Sequence, residues 1–160
     1  MKIENAFTLA APPDDVARVF CSEAYYEQES RERQDVQSHT YRKLNETERE
    51  LAFEIAYQEY RRTKTGRIDR GGTVPTRVSY RYDVPGRVLS WTYQGQGGDR
   101  FGISGSYRLQ PNGGGTRVLV QADIEVRVPL VGKQIAKLAA REYKKDMPRV
   151  ERLLSRLTAG

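Results

Sequence analysis

The sequence predicts an α+β fold: a curved antiparallel sheet of about seven strands wrapped around one long C-terminal helix. Three observations predict it. Apolar and polar residues alternate with a period of two through most of the middle of the chain, the pattern of half-buried strands. From about Leu130 to Leu157 the apolar residues recur instead at spacings of three and four, the stripe of an amphipathic helix. The strand-like segments are joined by short turns, so sequential strands pair as antiparallel neighbours. At 160 residues, 38% apolar and 30% charged, the chain has the size and balance of one globular domain, 1–160, with a core of its own.

Lys2 to Leu9 is the first strand, with Ile3, Phe7 and Leu9 on one face. Pro12 and Pro13 end it, because proline cannot donate to a ladder. Asp14 or Asp15 opens a short helix through Val16, Val19 and Phe20, and after a break near Ser22 a polar second helix runs from Ala24 to Arg33. Val36 to Leu44 is a polar strand and Asn45 to Glu48 a turn. Leu51, Phe53, Ile55 and Tyr57 then alternate cleanly with polar or small residues. Arg61 to Gly72 breaks the alternation with five basic residues, one acidic residue and three glycines, and is expected to be a mobile basic loop.

Val78, Tyr80, Tyr82 and Val84 form the next alternation, closed by the Pro85–Gly86 turn signal. Val88 to Tyr93 follows, with Leu89, Trp91 and Tyr93 on one side. After a glycine-rich turn from Gln94 to Arg100, Phe101, Ile103, Gly105, Tyr107 and Leu109 share a face. Pro111 to Gly115 is another turn, and the last strand is the clearest, with Val118, Val120, Ala122, Ile124, Val126 and Val128 on one side until Pro129 ends it. The terminal helix carries Ile135, Leu138, Ala139, Tyr143, Met147, Val150, Leu154 and Leu157 along one stripe. Pro148 inside it removes a backbone donor, so a kink or a restart is expected near Asp146. The first strand can close the sheet against the last, and the long helix must shield the sheet's apolar face.

The composition bounds the function. The formal charge is +6 at pH 7, which permits attraction to anionic lipid, nucleic acid or acidic ligands without demonstrating any of them. Cys21 is the lone cysteine and lies on the apolar side of a short helix, so it reads as a small buried hydrophobe rather than a reactive thiol. No segment has the length and hydropathy of a membrane span, and Lys2 and Glu4 lead straight into strand alternation with no signal-peptide core. The expected setting is the cytoplasm. His39 is the sole histidine and reads as a surface or rim residue. One histidine and one cysteine argue against both a metal centre and a Cys–His catalytic pair. Gly95, Gly97, Gly98 and Gly102 lack the strand–loop–helix setting of a dinucleotide site. No cofactor is expected.

The residues described so far resemble the START/Bet v 1-like (SRPBCC) superfamily, the helix-grip fold of polyketide cyclase-like and lipid-transfer proteins, and within it the uncharacterised DUF2505-like family. The resemblance spans nearly the whole chain. It is carried by Met1 to Pro12 with the Asp14–Phe20 helix, by Val126 to Lys133 reading Val-Arg-Val-Pro-Leu-Val-Gly-Lys, and by the following helix with Ile135 and Tyr143. It implies a hydrophobic cavity between sheet and terminal helix, of the kind used for lipids, sterols or polyketides. Most such bacterial proteins bind or transport, and some catalyse cyclisation or dehydration. No catalytic motif carries over to particular positions here, and Pro148 departs from a straight closing helix.

Ten tyrosines and one tryptophan supply the candidate wall of that cavity. Each tyrosine offers a ring for an apolar ligand and a hydroxyl to orient its polar part. The expected ligand-binding residues are Phe53, Tyr57, Tyr80, Tyr82, Trp91, Tyr93, Phe101, Tyr107 and Ile124 from the strands, with Leu138, Tyr143 and Met147 from the helix. Glu54 and Asp123 fall opposite the apolar face and are expected in solvent. Basic residues gather in the central loop (Arg61, Arg62, Lys64, Arg67, Arg70) and along the terminal helix from Lys133 to Arg156, where Glu142, Asp146 and Glu151 interrupt them. A basic loop beside a cavity mouth suits transient contact with an anionic membrane. Nucleic acid is disfavoured as a partner, since no recognition motif is present and the aromatic rows and the charges lie on different elements. The leading expectation is binding or transport of a hydrophobic or amphipathic small molecule. A polyketide cyclase/dehydratase-like enzyme and a non-catalytic structural or protein-interaction domain are the alternatives.

Overall fold

The computed structural model describes residues 1–159. Within them the chain forms β1 (Lys2–Leu9), α1 (Pro13–Phe20), α2 (Glu23–Glu32), β2 (Val36–Glu46), β3 (Glu50–Arg62), β4 (Ile68–Asp83), β5 (Val88–Gln94), β6 (Phe101–Asn112), β7 (Gly115–Val126) and α3 (Gly132–Ala159), with a short 3-10 turn at Gly98–Arg100. The seven strands make one curved antiparallel sheet in the order β1-β7-β6-β5-β4-β3-β2. Strands β2 to β7 are a meander, and β1 closes on β7 with Ile3 opposite Ala122 and Phe7 opposite Val118. This is the helix-grip architecture.

The period of two decides what is inside. Phe53, Ile55 and Tyr57 on β3, Val78 and Tyr82 on β4, Leu89 and Trp91 on β5, and Val118, Val120, Ala122 and Ile124 on β7 are all buried on the face that meets the helices. Each Val, Leu, Ile or Phe side chain among them contributes about 1.5–3 kcal/mol when fully withdrawn from water. Pro13 presets φ for the first turn of α1, where its missing donor is not needed. The Ser22 hydroxyl accepts from the Tyr25 amide and so starts α2, which buries Tyr25, Tyr26 and Ser30.

The segment expected as a mobile basic loop is mostly strand. β3 and β4 stay paired past a bulge at Tyr60/Arg61, with Arg61 opposite Asp69 and Arg62 opposite Ile68, and the turn is confined to Thr63–Arg67. The Thr63 amide donates to the Arg67 carbonyl and the Arg67 amide to Thr63 Oγ1. This arm runs past the core, has no apolar face to bury, and therefore shows no alternation. Next to β1, β7 stops at Val126, so Val128 lies outside it.

The terminal helix begins at Gly132 rather than Leu130. Leu130 is fully exposed in the left-handed region, at φ +71°. Gly132 sits where a Cβ would meet the Val126 carbonyl oxygen at 2.9 Å, which ties the start of α3 to the end of β7. α3 then runs uninterrupted through Pro148, with no restart near Asp146. Pro148 is exposed, so the Lys144 carbonyl that it leaves without a helical donor lies on the water side. The apolar stripe of α3 divides in two. Ala136, Ala140, Met147, Leu153 and Leu154 are buried, whereas Ile135, Leu138, Ala139, Tyr143 and Val150 form an edge that is less deeply packed.

Glu54 lies on the outer face but is not fully in solvent. Its carboxylate is 13% exposed, covered by Arg42 at 2.8 Å and Arg77 at 3.8 Å. Asp123 is half-buried on the same outer face.

Candidate functional site

The meander alternates direction, so the β3–β4, β5–β6 and β7–α3 connections and the start of β2 lie at one end of the molecule. Two backbone bonds tie that end together: the Tyr60 amide donates to the Asp35 carbonyl, and the Arg127 amide to the Arg100 carbonyl. There the sheet and the less packed edge of α3 stand apart, leaving a cavity of about 620 Å³.

Tyr80 of β4, Trp91 and Tyr93 of β5, Phe101 and Tyr107 of β6 and Ile124 of β7 line the sheet side. Leu138, Tyr143 and Met147 of α3 line the opposite side. The rings of Trp91 and Tyr143 stack at its wall, 5.9 Å apart and 30° from parallel. Leu138 is 44% exposed and stands at the mouth with Glu142, facing the Arg62–Gly66 hairpin tip and Gln96–Gly97.

Three residues expected in the wall lie outside it. Phe53 is completely buried, stacked 4.8 Å from Tyr80 and 5.3 Å from Tyr41 and covered by Tyr26. Tyr57 is covered by the Arg33 guanidinium, 4.9 Å from its ring centre, and donates its hydroxyl to Glu29 at 2.9 Å. Tyr82 is buried toward the far end of β4, where burial raises its hydroxyl to about 12. The cause is common to all three. A shared sheet face puts a residue in the core but does not say whether a helix covers it.

Over Phe53 and Tyr57 that helix is α2, whose role no sequence pattern signalled. Tyr25, Tyr26 and Glu29 line the cavity with Asp35 and Glu59. Behind them stands Arg33. Its Nε and Nη2 donate to the two Asp35 oxygens at 3.0 and 3.1 Å, its Nη1 to Glu29 at 3.1 Å, and its Nη2 to Glu59 at 2.6 Å. Tyr93 completes Glu59 with a 2.6 Å hydrogen bond, and Arg62 reaches Asp35 at 3.3 Å. Burial pushes the Glu29 carboxyl up, against the opposing pull of Arg33 and the Tyr57 hydroxyl. Burial also acts to raise Asp35, but hydrogen bonding to Arg33 and the charges of Arg33 and Arg62 outweigh it and hold that carboxyl below the usual range. A signal for Glu59 was present: it continues the odd-numbered inward row of β3 after Tyr57.

Several polar atoms at the cavity are buried without a hydrogen-bond partner among the described residues: the Tyr26 and Tyr143 hydroxyls and Trp91 Nε1. Cys21 is buried apart from the cavity, its thiol raised to about 12 by burial, which removes it as a nucleophile near neutral pH. His39 is a half-buried residue on β2, opposite Tyr57. Among the described residues no group of three or more His, Cys, Asp or Glu side chains could hold a metal ion, and no helix is long and apolar enough to cross a membrane.

Comparison with known proteins agrees with this geometry. A family model described as "Protein of unknown function (DUF2505)" matches residues 4–157. No curated protein sequence matches. Among solved structures, the Zhui aromatase/cyclase of Streptomyces sp. R1128 superposes with a TM-score of 0.68 at 13% identity, over 99% of this chain and 93% of its own. TTHA0849 of Thermus thermophilus gives 0.66 at 16% identity, covering 99% and 97%. A START superfamily protein of Mycobacterium smegmatis gives 0.62 at 15% identity, covering 98% of each. At these identities the likeness shows the fold alone, the helix grip of START and Bet v 1-like proteins.

Proposed function

This chain belongs to the DUF2505 family, and from that premise we propose that it binds or transports a hydrophobic or amphipathic small molecule, lipid-like or polyketide-like, as one ligand-binding domain. The observation that carries the reading is the cavity itself. Its 620 Å³ falls within the range of about 300–1,000 Å³ typical of small-molecule sites. Its walls are mostly rings and aliphatic groups, and the polar side chains set among them orient a guest. Apolar burial supplies the affinity. The exposed cations Lys64 and Arg67 at the hairpin tip, with Lys133 and Lys137 on α3, fit transient contact with an anionic membrane during loading. A cytoplasmic setting goes with a lone, buried, unpaired thiol.

Trp91 is the sole tryptophan and lines the cavity, so its emission reports occupancy. Titration with fatty acids, sterols and aromatic polyketides should give saturable changes for at least one class. Native mass spectrometry of gently purified protein should show a bound guest. Ile124→Phe should fill the space without adding a second indole, and abolish the response. No saturable ligand and no co-purified guest would sink the reading and leave a structural or protein-interaction domain.

One observation favours an enzymatic variant of the same reading. Glu29 is a carboxyl that burial holds above its ordinary value, at the wall of a cavity in the fold of an aromatase/cyclase. A cyclase or dehydratase would use it as a proton donor. Turnover that vanishes in Glu29→Gln while binding persists would establish that variant; binding without turnover would establish a carrier.

A further inference from the structure

The surface and the cavity carry opposite messages about ligand charge. The chain has a formal charge of +6, which on its own favours an acidic guest. The cavity wall is the reverse. Five carboxylates line it: Glu29, Asp35 and Glu59 at one side and Glu142 and Asp146 on α3. Three cations oppose them, and two of these are already paired. Arg62 donates to Asp35 and to the Gly66 carbonyl, Arg149 pairs with Asp146 at 3.3 Å, and Lys64 is exposed on the hairpin tip.

The decisive arrangement is at Arg33. Its three carboxylate partners reach the cavity wall and it does not. The buried cation stands behind, and the lumen meets the oxygens in front. Four of its five N–H donors are already committed to Glu29, Asp35 and Glu59. At Arg33 an incoming carboxylate or phosphate would therefore face negative oxygen, with one N–H left to receive it. A head group bearing N–H donors and positive charge would find lone pairs on Glu29 and Glu59.

Two further observations bear on the head group. The hydroxyls of Tyr26, a residue 1% exposed, and of Tyr143, both residues of the cavity wall, have no partner among the described residues; each can accept from an ammonium, as each can donate to an acceptor. The rings of Tyr25, Tyr26, Tyr80, Trp91 and Tyr143 surround the space beside the carboxylates, and aromatic faces attract cations. We infer that the guest is an amphipathic amine: an apolar body with a protonated or quaternary nitrogen at one end, received by Glu29 and Glu59 and by the aromatic faces next to them. This inference rests on the cavity-binding reading above and narrows its ligand class.

The test uses three probes with one chain and different heads: dodecylamine, dodecanol and sodium dodecanoate, each kept below its aggregation limit at pH 7 and read by Trp91 emission. The amine is expected to bind at least about tenfold more tightly than the carboxylate, with the alcohol between. The protein's net charge works against that order, so general attraction cannot produce it. Glu29→Gln/Glu59→Gln should weaken the amine by roughly fivefold or more and leave dodecanol within about twofold. If that pair does not fold, Asp146→Asn, on a half-exposed turn of α3, should show the same selective loss. Equal or tighter binding of dodecanoate, or a variant that weakens all three heads alike, overturns the amine inference and leaves the cavity reading standing. Failure of all three heads to bind overturns both.

Discussion

Arg33 and Glu59 meet at 2.6 Å across 26 residues of sequence, joining the end of α2 to the inward face of β3, and only the carboxylate of the pair reaches the cavity wall. Glu59 is 6% exposed at its side chain, so the contact is a buried one. Removing one partner of such a pair is far more damaging than the pair is stabilising, because the remaining charge keeps its desolvation cost. Arg33→Met would strand Glu29, Asp35 and Glu59 together. It is expected to destabilise the fold by about 3–5 kcal/mol at pH 7 in urea denaturation. The deficit should shrink toward pH 5, as stranded carboxyls take up protons. A loss under about 1 kcal/mol would show that water already screens this cluster.

The same cluster sets an acid response with two opposing parts. Glu29 has its carboxyl raised, so its contribution to stability is fully present below the unfolded-state value and is lost as pH rises through the folded one. Asp35 has its carboxyl lowered, so its contribution is present above the unfolded-state value and is lost as pH falls through the folded one. Acidification from pH 7 should first relieve Glu29 and then, below about pH 4, release Asp35 from Arg33. Asp146 is raised as well, so wild type alone does not isolate Glu29. The difference between wild type and Glu29→Gln does. Stability measured from pH 7 to 3 should show the early gain reduced in the variant and the late loss retained. Identical curves would remove Glu29 from the response.

Paired and unpaired tyrosines should separate cleanly. Tyr57 donates to Glu29 and Tyr93 to Glu59, both bonds to carboxylates. Tyr57→Phe or Tyr93→Phe is expected to cost about 1.5–3 kcal/mol. The Tyr143 hydroxyl is buried without a partner among the described residues, so Tyr143→Phe should be neutral or stabilising by up to about 1 kcal/mol in the empty protein. If a guest uses that hydroxyl, the same variant lowers ligand affinity. Thermal melts with and without ligand read the two effects apart.

The fold was largely legible because period-two alternation and the α3 stripe are properties of the residues themselves. β7 alternates from Thr116 to Ile124 as its sequence does. The site was less legible, for three physical reasons. α2 has a sequence too polar to advertise its buried Tyr25 and Tyr26, which meet Phe20 and Phe53 only through tertiary contact. Arg33 reads as a solvated charge until Glu59 arrives from 26 residues away. Phe53 and Tyr80 share one face of the sheet and differ only in what covers them, which no local pattern encodes.

Trp91 owes its place at the cavity to a missing side chain. Gly105 lies directly opposite it on β6, and a Cβ there would come within 2.6 Å of the indole ring and 2.5 Å of the Gln121 carbonyl oxygen. The ring can swing, but the backbone oxygen on β7 cannot yield without disturbing the ladder. Gly105→Ala is therefore expected to destabilise by about 1–3 kcal/mol, the usual cost of overpacking. The indole should also be driven away from β6, toward the face of Tyr143, 5.9 Å away. The two effects have separate readouts. Denaturation gives the first. A shift in Trp91 emission in the folded, ligand-free variant gives the second, with weaker ligand binding as the ring intrudes on the space. Unchanged emission and unchanged stability together would mean that β6 and β7 part easily at this point, and that Gly105 does not set the indole's position.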